Sequence, residues 1–381
     1  RTDAESTLAR LLIHSGVYFG KDELTFSFIT DKITEQEIEG SVVEFIDRLE
    51  PEEMKVGNYK KSKIADIIKT VINNTDKSDL SILISDCIYS LEAGKDVTEN
   101  VEFEWALIEE AFLNLLTDTN YSVLINKYVS NYRGNYWVFN SKTGKEEEIP
   151  VGWKSKFFRP YYVILIGEDN LINTALNEIN FKDYKGYQNS YLITLPKPTN
   201  RIDYSIINSF KKGSFRPDKS DFKYTITKAR KGTKKKDKGE FAYTIAVNFE
   251  DIKVEEDYLL DGSKYKVNAD YEVSVQKVSE KLLKQDPSLS RYTHLITLTN
   301  SSNLREEEVS ISLKRETPKW IENTHTEDDS DILSIEQQNK TRGFKHLVEG
   351  IENAFYQAQK RRSSKKDELK YYFTLTTKIK L

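Results

Sequence analysis

Cysteine, methionine and histidine are nearly missing from this chain of 381 residues. The single cysteine, Cys87, excludes an internal disulfide framework and any multi-thiolate metal site. Four scattered histidines, His14, His294, His325 and His346, give no metal-ligand pair at helical spacing. No apolar run reaches the ~18 residues of a membrane-spanning helix, and the chain does not open on a signal-like segment. It begins at Arg1 rather than methionine, so a segment ahead of it is expected. The compartment read from this is cytoplasmic, or surface or periplasmic where a signal or anchor precedes Arg1. Gly-x-Ser-x-Gly, the P-loop, Gly-x-Gly-x-x-Gly and His-Glu-x-x-His are all absent, so no catalytic constellation identifies itself. Charge of one sign is lacking too. Lys plus Arg (57) nearly balances Asp plus Glu (61), which removes any global case for nucleic acid or membrane.

Aromatic residues are plentiful, with 22 Tyr and 18 Phe to enlarge the buriable surface of a chain only 38% hydrophobic. One stretch organises the first half. Ile64, Ile67, Ile68, Val71 and Ile72 recur at helical spacing, which predicts an amphipathic helix over 61–74. Leu80–Ile84 then reads as a short buried strand ending in a carboxylate, Asp86. Open α/β sheets place ligands at the carboxyl ends of their strands, so Asp86 is a candidate site residue.

The same reading gives helices at 5–17, 35–49 (with Thr34 as N-cap), 101–116 and 169–178. Strands are expected at 24–30, 121–129, 135–140 and 161–166. On the 101–116 helix, Phe103, Ala106, Leu107, Ala111 and Leu115 are expected to form the apolar face. Alternating strands and helices predict a doubly wound parallel sheet over 1–180, with an inserted β-hairpin at about 121–150. After residue 180 short strands dominate, up to a last one at 371–379. They predict a β-sandwich over 181–381 with one embedded helix at about 342–359.

Ile84-Ser85-Asp86-Cys87 resembles the third metal-binding loop (apolar-Thr-Asp-Gly) of the von Willebrand factor type A fold. Ser62, just ahead of Ile64, stands in the place of that family's second-loop Thr. The family's Asp-x-Ser-x-Ser motif does not occur in residues 1–180, where the fold would need it, and Cys87 replaces the usual Gly. The resemblance covers about residues 1–180 and implies a Rossmann-like domain with an incomplete or degenerate divalent-metal site. Asp86 and Ser62 would hold Mg²⁺ or Mn²⁺, ions that take oxygen ligands and keep several waters. It also implies protein partners, one of which would complete the metal with a carboxylate. The alternative role for Asp86 is as a turn or helix cap.

Other stretches carry weaker signals. Tyr128, Tyr132, Arg133, Tyr136 and Trp137 concentrate amphipathic rings in the hairpin, either for a partner or for packing on a neighbour. Lys231, Lys234, Lys235 and Lys236 lie in a basic loop between two strands, a candidate polyanion contact whose lysines have no interleaved aromatics. Lys360–Lys366 is a second basic run, and cations at a helix C-terminus already suit its dipole. Glu327–Asp331 is acidic but lacks EF-hand spacing, so an exposed flexible loop is expected. Cys87 reads as a buried structural thiol. These features point to a non-enzymatic protein-binding or adaptor protein, an accessory in bacterial stress, phage defence or surface assembly. The rival is a metal-assisted hydrolase that gathers Asp31, Glu168 and Asp169 around Asp86; polyanion binding is the third reading.

Overall fold

The computed structural model describes residues 3–20, 23–29, 33–49, 63–89, 97–140, 145–195, 202–218, 220–221, 224–363 and 369–381. The chain divides into two units, Arg1–Leu195 with Thr317–Arg361, and Pro196–Glu316 with Arg362–Leu381. The chain therefore leaves the first unit, builds the second and returns.

The first unit opens with α1 (Asp3–Phe19), a small hairpin of β1 (Phe26–Ile29) and β2 (Ile33–Gln36), and α2 (Val42–Arg48). The helix expected from Thr34 thus starts later. Ser41 caps it and Glu44 closes a capping box, a signal that sits at Ser-x-x-Glu rather than at Thr34. Next come α3 (Ile64–Asn73), β3 (Ser81–Ser85), α4 (Val97–Leu115), β4 (Tyr121–Asn131), the hairpin β5 (Gly134–Asn140) with β6 (Lys145–Val151), β7 (Phe158–Glu168), α5 (Asp169–Glu178) and β8 (Tyr187–Thr194).

The sheet order is β3-β7-β4-β8, and every neighbouring pair is antiparallel. The doubly wound parallel sheet is therefore not found, and the fold implied by the von Willebrand type A resemblance goes with it. The reason lies between β4 and β7. They are joined by the β5–β6 hairpin and not by a crossover helix, so β7 returns antiparallel. Two interlocked β-α-β units result, β3-α4-β4 around β7 and β7-α5-β8 around β4. They step the same way across the sheet from strands of opposite direction. Right-handed crossovers then put α4 and α5 on opposite faces.

The core agrees. Leu83, Val123, Ile125, Tyr162, Ile164 and Ile166 pack with α3 and α4, while Leu124, Tyr128, Val163 and Leu165 pack with α1 and α5. A sheet covered on both faces needs near-continuous apolar strands, the same pattern that parallel sheets show. On α3 the buried face is Ile64, Ala65, Ile67, Ile68 and Ile72, close to the spacing in the sequence. On α4 it is rotated by about one residue. Ile108, Ala111, Phe112 and Leu116 are buried, whereas Phe103 is 62% exposed.

The second unit holds two sheets around one core. One contains β9 (Tyr204–Lys212), β12 (Phe241–Val247), β14 (Glu272–Lys277) and β15 (His294–Asn300), in the order β14-β15-β12-β9. The other contains β10 (Ser214–Pro217), β11 (Thr225–Arg230), β13 (Tyr265–Val267), β16 (Glu307–Lys314) and the last strand, β19 (Tyr371–Ile379). Phe241, Tyr243, Ile245 and Leu298 of the first meet Ile226, Ile311, Leu313 and Phe373 of the second. Short helices α6 (Glu256–Leu260) and α7 (Glu280–Gln285) lie in the connections.

The return segment brings α8 (Lys319–Thr324), β17 (His325–Thr326), α9 (Ile335–Gln338), β18 (Thr341–Arg342) and α10 (Phe344–Arg362). The helix expected inside the sandwich is α10, and it packs in the first unit's core instead. Its Phe344, Leu347, Val348, Ile351 and Phe355 join the face that holds α3 and α4. Gly350 permits close approach to α4, since a Cβ there would lie 2.6 Å from the Trp105 ring. Phe344 stacks on Tyr162, with ring centroids 3.9 Å apart. Among the described residues, no helix is long and apolar enough to cross a membrane.

Phe344 is fully buried, so Phe344→Ala is expected to cost about 3–5 kcal/mol in chemical denaturation. A loss below about 1 kcal/mol would mean that α10 does not form part of this core.

Candidate functional site

The end of the sheet that holds the carboxyl ends of β3 and β4 is where most sequence-selected residues fall. Asp86 follows β3 there in a tight turn. Its Oδ1 accepts from the Ile88 N–H at 3.3 Å, and Cys87 adopts a positive φ of 52°. Protein packed around Asp86 raises its pKa, with the Ile88 amide and the Arg159 charge opposing, although its outer edge is open to solvent. Asp86 thus shapes a turn and faces a cation. Ser62 and Asp31 lie outside the described residues. Glu168 ends β7 and Asp169 opens α5; β7 runs against β3, with Ser85 opposite Tyr162 and Ser81 opposite Ile166. At ~3.3 Å per residue both acids sit roughly 20 Å from Asp86 along the sheet. The antiparallel register therefore keeps Glu168 and Asp169 away from Asp86. Cys87 is buried, and burial pushes its thiol pKa up.

The hairpin residues separate into two sets. Tyr128 and Tyr136 are buried and belong to the packing. Tyr132, Arg133 and Trp137 are exposed, Trp137 by 54%, and Trp153 beside them by 60%. The Arg133 guanidinium lies 3.8 Å from the Trp153 ring centroid. Alternation along β5 explains the division: Tyr136 and Val138 point inward, Asn135 and Trp137 outward.

What fixes the hairpin is a buried carboxylate in the stretch expected to be a flexible acidic loop. Asp329 is fully buried. Its Oδ1 accepts from the Phe139 N–H at 2.8 Å and from Arg342 Nη1 at 3.0 Å, and its Oδ2 accepts from the Tyr136 hydroxyl at 3.2 Å. Arg342 also donates from Nε and Nη2 to the Tyr89 carbonyl, at 3.0 and 2.8 Å. Arg159 Nη2 donates to the Tyr136 oxygen at 2.9 Å, and Nη1 reaches the carbonyls of Gln337 and Gln338. Lys127, also buried, donates to the Thr324 hydroxyl at 2.7 Å. Sequence reading missed this network because its members are distant in the chain and ordinary one by one.

A second constellation was missed for the same reason. His325 in β17, Glu327 just after it and His346 in the first turn of α10 bring one potential ligand atom each within 4.8 Å of one another. His325 Nε2 lies 2.9 Å and His346 Nε2 lies 2.7 Å from Glu327 Oε1. Burial lowers the pKa of His325 against the pull of Glu327. Glu327 shifts down as well, because hydrogen bonds from His346 and His325 outweigh its partial burial. The two shifts agree on a neutral imidazole that donates to an ionised carboxylate. Among the described residues this is the group of three or more His, Cys, Asp or Glu side chains arranged to hold a metal ion. The only sequence signal was His-x-Glu at the start of an acidic run.

The basic loop of the second unit is a closed turn. Gly232 bridges Lys238, and the Asp237 N–H donates to the Lys234 carbonyl at 3.0 Å. Lys231 Nζ is engaged by the carbonyls of Ser301 and Ser302, while Lys234, Lys235 and Lys236 are exposed. Comparison with family models, curated proteins and solved structures gives no match. The residues and their geometry carry the functional argument.

Burial lowers the Lys127 pKa from 10.5 to about 8, and the nearby Arg159 charge adds to the shift. The unfolded chain therefore holds more protons between these values, and stability is expected to rise as pH goes from about 8 to 10. Lys127→Met is expected to flatten that rise in urea unfolding. An unchanged slope would show that Lys127 titrates as a solvated lysine.

Proposed function

We propose that this chain is a non-enzymatic protein-binding module whose partner docks on the outer face of the β5–β6 hairpin. One observation carries the reading. Trp137 is exposed on β5, and Arg133 and Trp153, exposed at the open end of the hairpin, stack on each other. Asp329 and Arg159 anchor the hairpin from its inner side, and Tyr132 packs its half-exposed ring on Tyr136 and Phe157. Large rings and arginine are the side chains that most often dominate protein interfaces, and a rigid platform loses little entropy when it is covered. Tyr132 is held in place by its own hydroxyl, which donates to the Asn135 carbonyl at 2.8 Å. Glu147 and Glu148 are exposed on β6, with Glu148 opposite Trp137, so an apolar and cationic partner surface fits best. Nothing in this reading needs Asp86, whose turn and countercharge roles account for its position.

The test is affinity enrichment with the wild-type chain and with Trp137→Ala/Trp153→Ala, followed by measured affinity for the purified partner. Both rings are surface groups, so thermal stability is expected to stay nearly constant. Affinity is expected to fall at least about tenfold, since aromatic anchors each contribute about 1–2 kcal/mol or more. Equal affinity in both proteins would remove the hairpin from the interface.

A further inference from the structure

We propose that His325, Glu327 and His346 form a Zn²⁺ site with an open coordination position. The inference is independent of the hairpin surface and adds a second function to the first unit. Two imidazoles and one carboxylate are a donor set that zinc accepts, with bonds of about 2.0–2.2 Å and tetrahedral geometry. Imidazole nitrogen suits Zn²⁺ and its transition-metal neighbours and does not suit Mg²⁺, which prefers oxygen. The site therefore differs in chemistry from the Mg²⁺ or Mn²⁺ expected at Asp86.

The donors are held before any ion arrives. Thr324, just ahead of His325, is tied to buried Lys127, and β17 pairs with β18 through His325–Thr341 and Thr326–Arg342. His346 follows Gly343 and Phe344. A Cβ at Gly343, whose φ is +75°, would lie 2.6 Å from the Tyr89 Cβ, while Phe344 is stacked on Tyr162. The imidazoles lie at 84° to each other with ring centroids 5.0 Å apart, and both Nε2 atoms point at one carboxylate oxygen. Glu349 Oε2 lies 3.6 Å from His346 Nδ1, close enough to accept from it once metal takes Nε2 and the proton moves to Nδ1, the arrangement in which a carboxylate supports a ligating histidine.

Two adjustments accompany binding. Tetrahedral ligand atoms stand about 3.3 Å apart at these bond lengths, so the Glu327 carboxylate must draw back by about half an ångström. Its side chain is 59% exposed and can do so. The Lys345 N–H contact to His325 Nδ1, long at 3.4 Å, is given up when Nδ1 carries the proton. With three protein ligands a tetrahedral ion keeps one open position, which would take water beside the exposed Glu327. In the absence of metal the same three groups stay together through N–H···O hydrogen bonds.

The experiment is Zn²⁺ titration of the metal-free full chain, read by competition with a chromophoric chelator, beside Glu327→Gln, His346→Ala and Glu349→Gln. Glu327 and Glu349 are surface carboxylates whose replacement leaves the core intact, and thermal unfolding checks each variant. One equivalent of Zn²⁺ is expected, with at least about a hundredfold loss of affinity in His346→Ala and Glu327→Gln. About a tenfold loss is expected in Glu349→Gln. Co²⁺ in the same site is expected to give the intense visible bands of tetrahedral coordination, and excess Mg²⁺ should not displace it. Absence of stoichiometric Zn²⁺ binding, or equal affinity in wild type and His346→Ala, would overturn the proposal.

Discussion

The first unit depends on one buried ion pair. Asp329 and Arg342 are 3.0 Å apart with almost no access to water, so each would be costly to bury alone. Their remaining hydrogen-bonding capacity is spent on fixed partners: the Phe139 amide, the Tyr136 hydroxyl and the Tyr89 carbonyl. Three segments distant in sequence thereby meet at one point. They are the chain that follows β3, the β5–β6 hairpin and the return segment from α8 to α10. An apolar contact would hold such segments together with less preference for one register. A carboxylate that must accept from a particular amide, hydroxyl and guanidinium sets the arrangement more narrowly.

The exposed aromatic face and the histidine–glutamate cluster share that support. The hairpin's inner side, Tyr136 and Val138, is sealed against Ile332 and Phe157, which leaves Trp137 outward on a fixed strand. In the same segment β17 and β18 align, and the Thr326 carbonyl accepts from the Gly343 N–H at 3.1 Å at the start of α10. His325, Glu327 and His346 therefore come from chain whose path is set by the Asp329 anchor. Lys127, Arg159 and Arg342 place three cations near this end of the sheet. Asp329 pairs with Arg342, and the Arg159 charge favours an ionised Asp86, which gives Asp86 a structural reason to stand where it does.

Local elements were legible in the sequence wherever one face of a helix or strand meets the core. The apolar spacing from Ile64 to Ile72 gives α3, and Tyr161–Ile166 gives the centre of β7. Strand direction was not legible. The apolar run in β7 is what a sheet covered on both faces requires, whichever way its strands point, and the decisive feature is the hairpin that replaces a helix between β4 and β7. Long-range partnership was equally hidden. Nothing near Phe344 says that it stacks on Tyr162, and nothing near Asp329 distinguishes a buried anchor from the surface acids beside it. Of the residues singled out, Tyr128 and Tyr136 are buried in the packing, Tyr132 packs a half-exposed ring on Tyr136 and Phe157, and Arg133 and Trp137 are exposed. The histidine cluster escaped notice because its members join through the β17–β18 pairing and not through helical spacing.

The most direct test of this account is hydrogen exchange at the backbone amides of wild type and Asp329→Asn. Asparagine keeps the shape but removes the charge that faces Arg342. If the pair holds the hairpin and the return segment together, amides of 134–140, 147–151 and 325–343 lose protection, while those of β4, β7 and the second unit keep theirs. Unchanged protection in the hairpin and around Phe139 would contradict the account, because the anchor would then be dispensable.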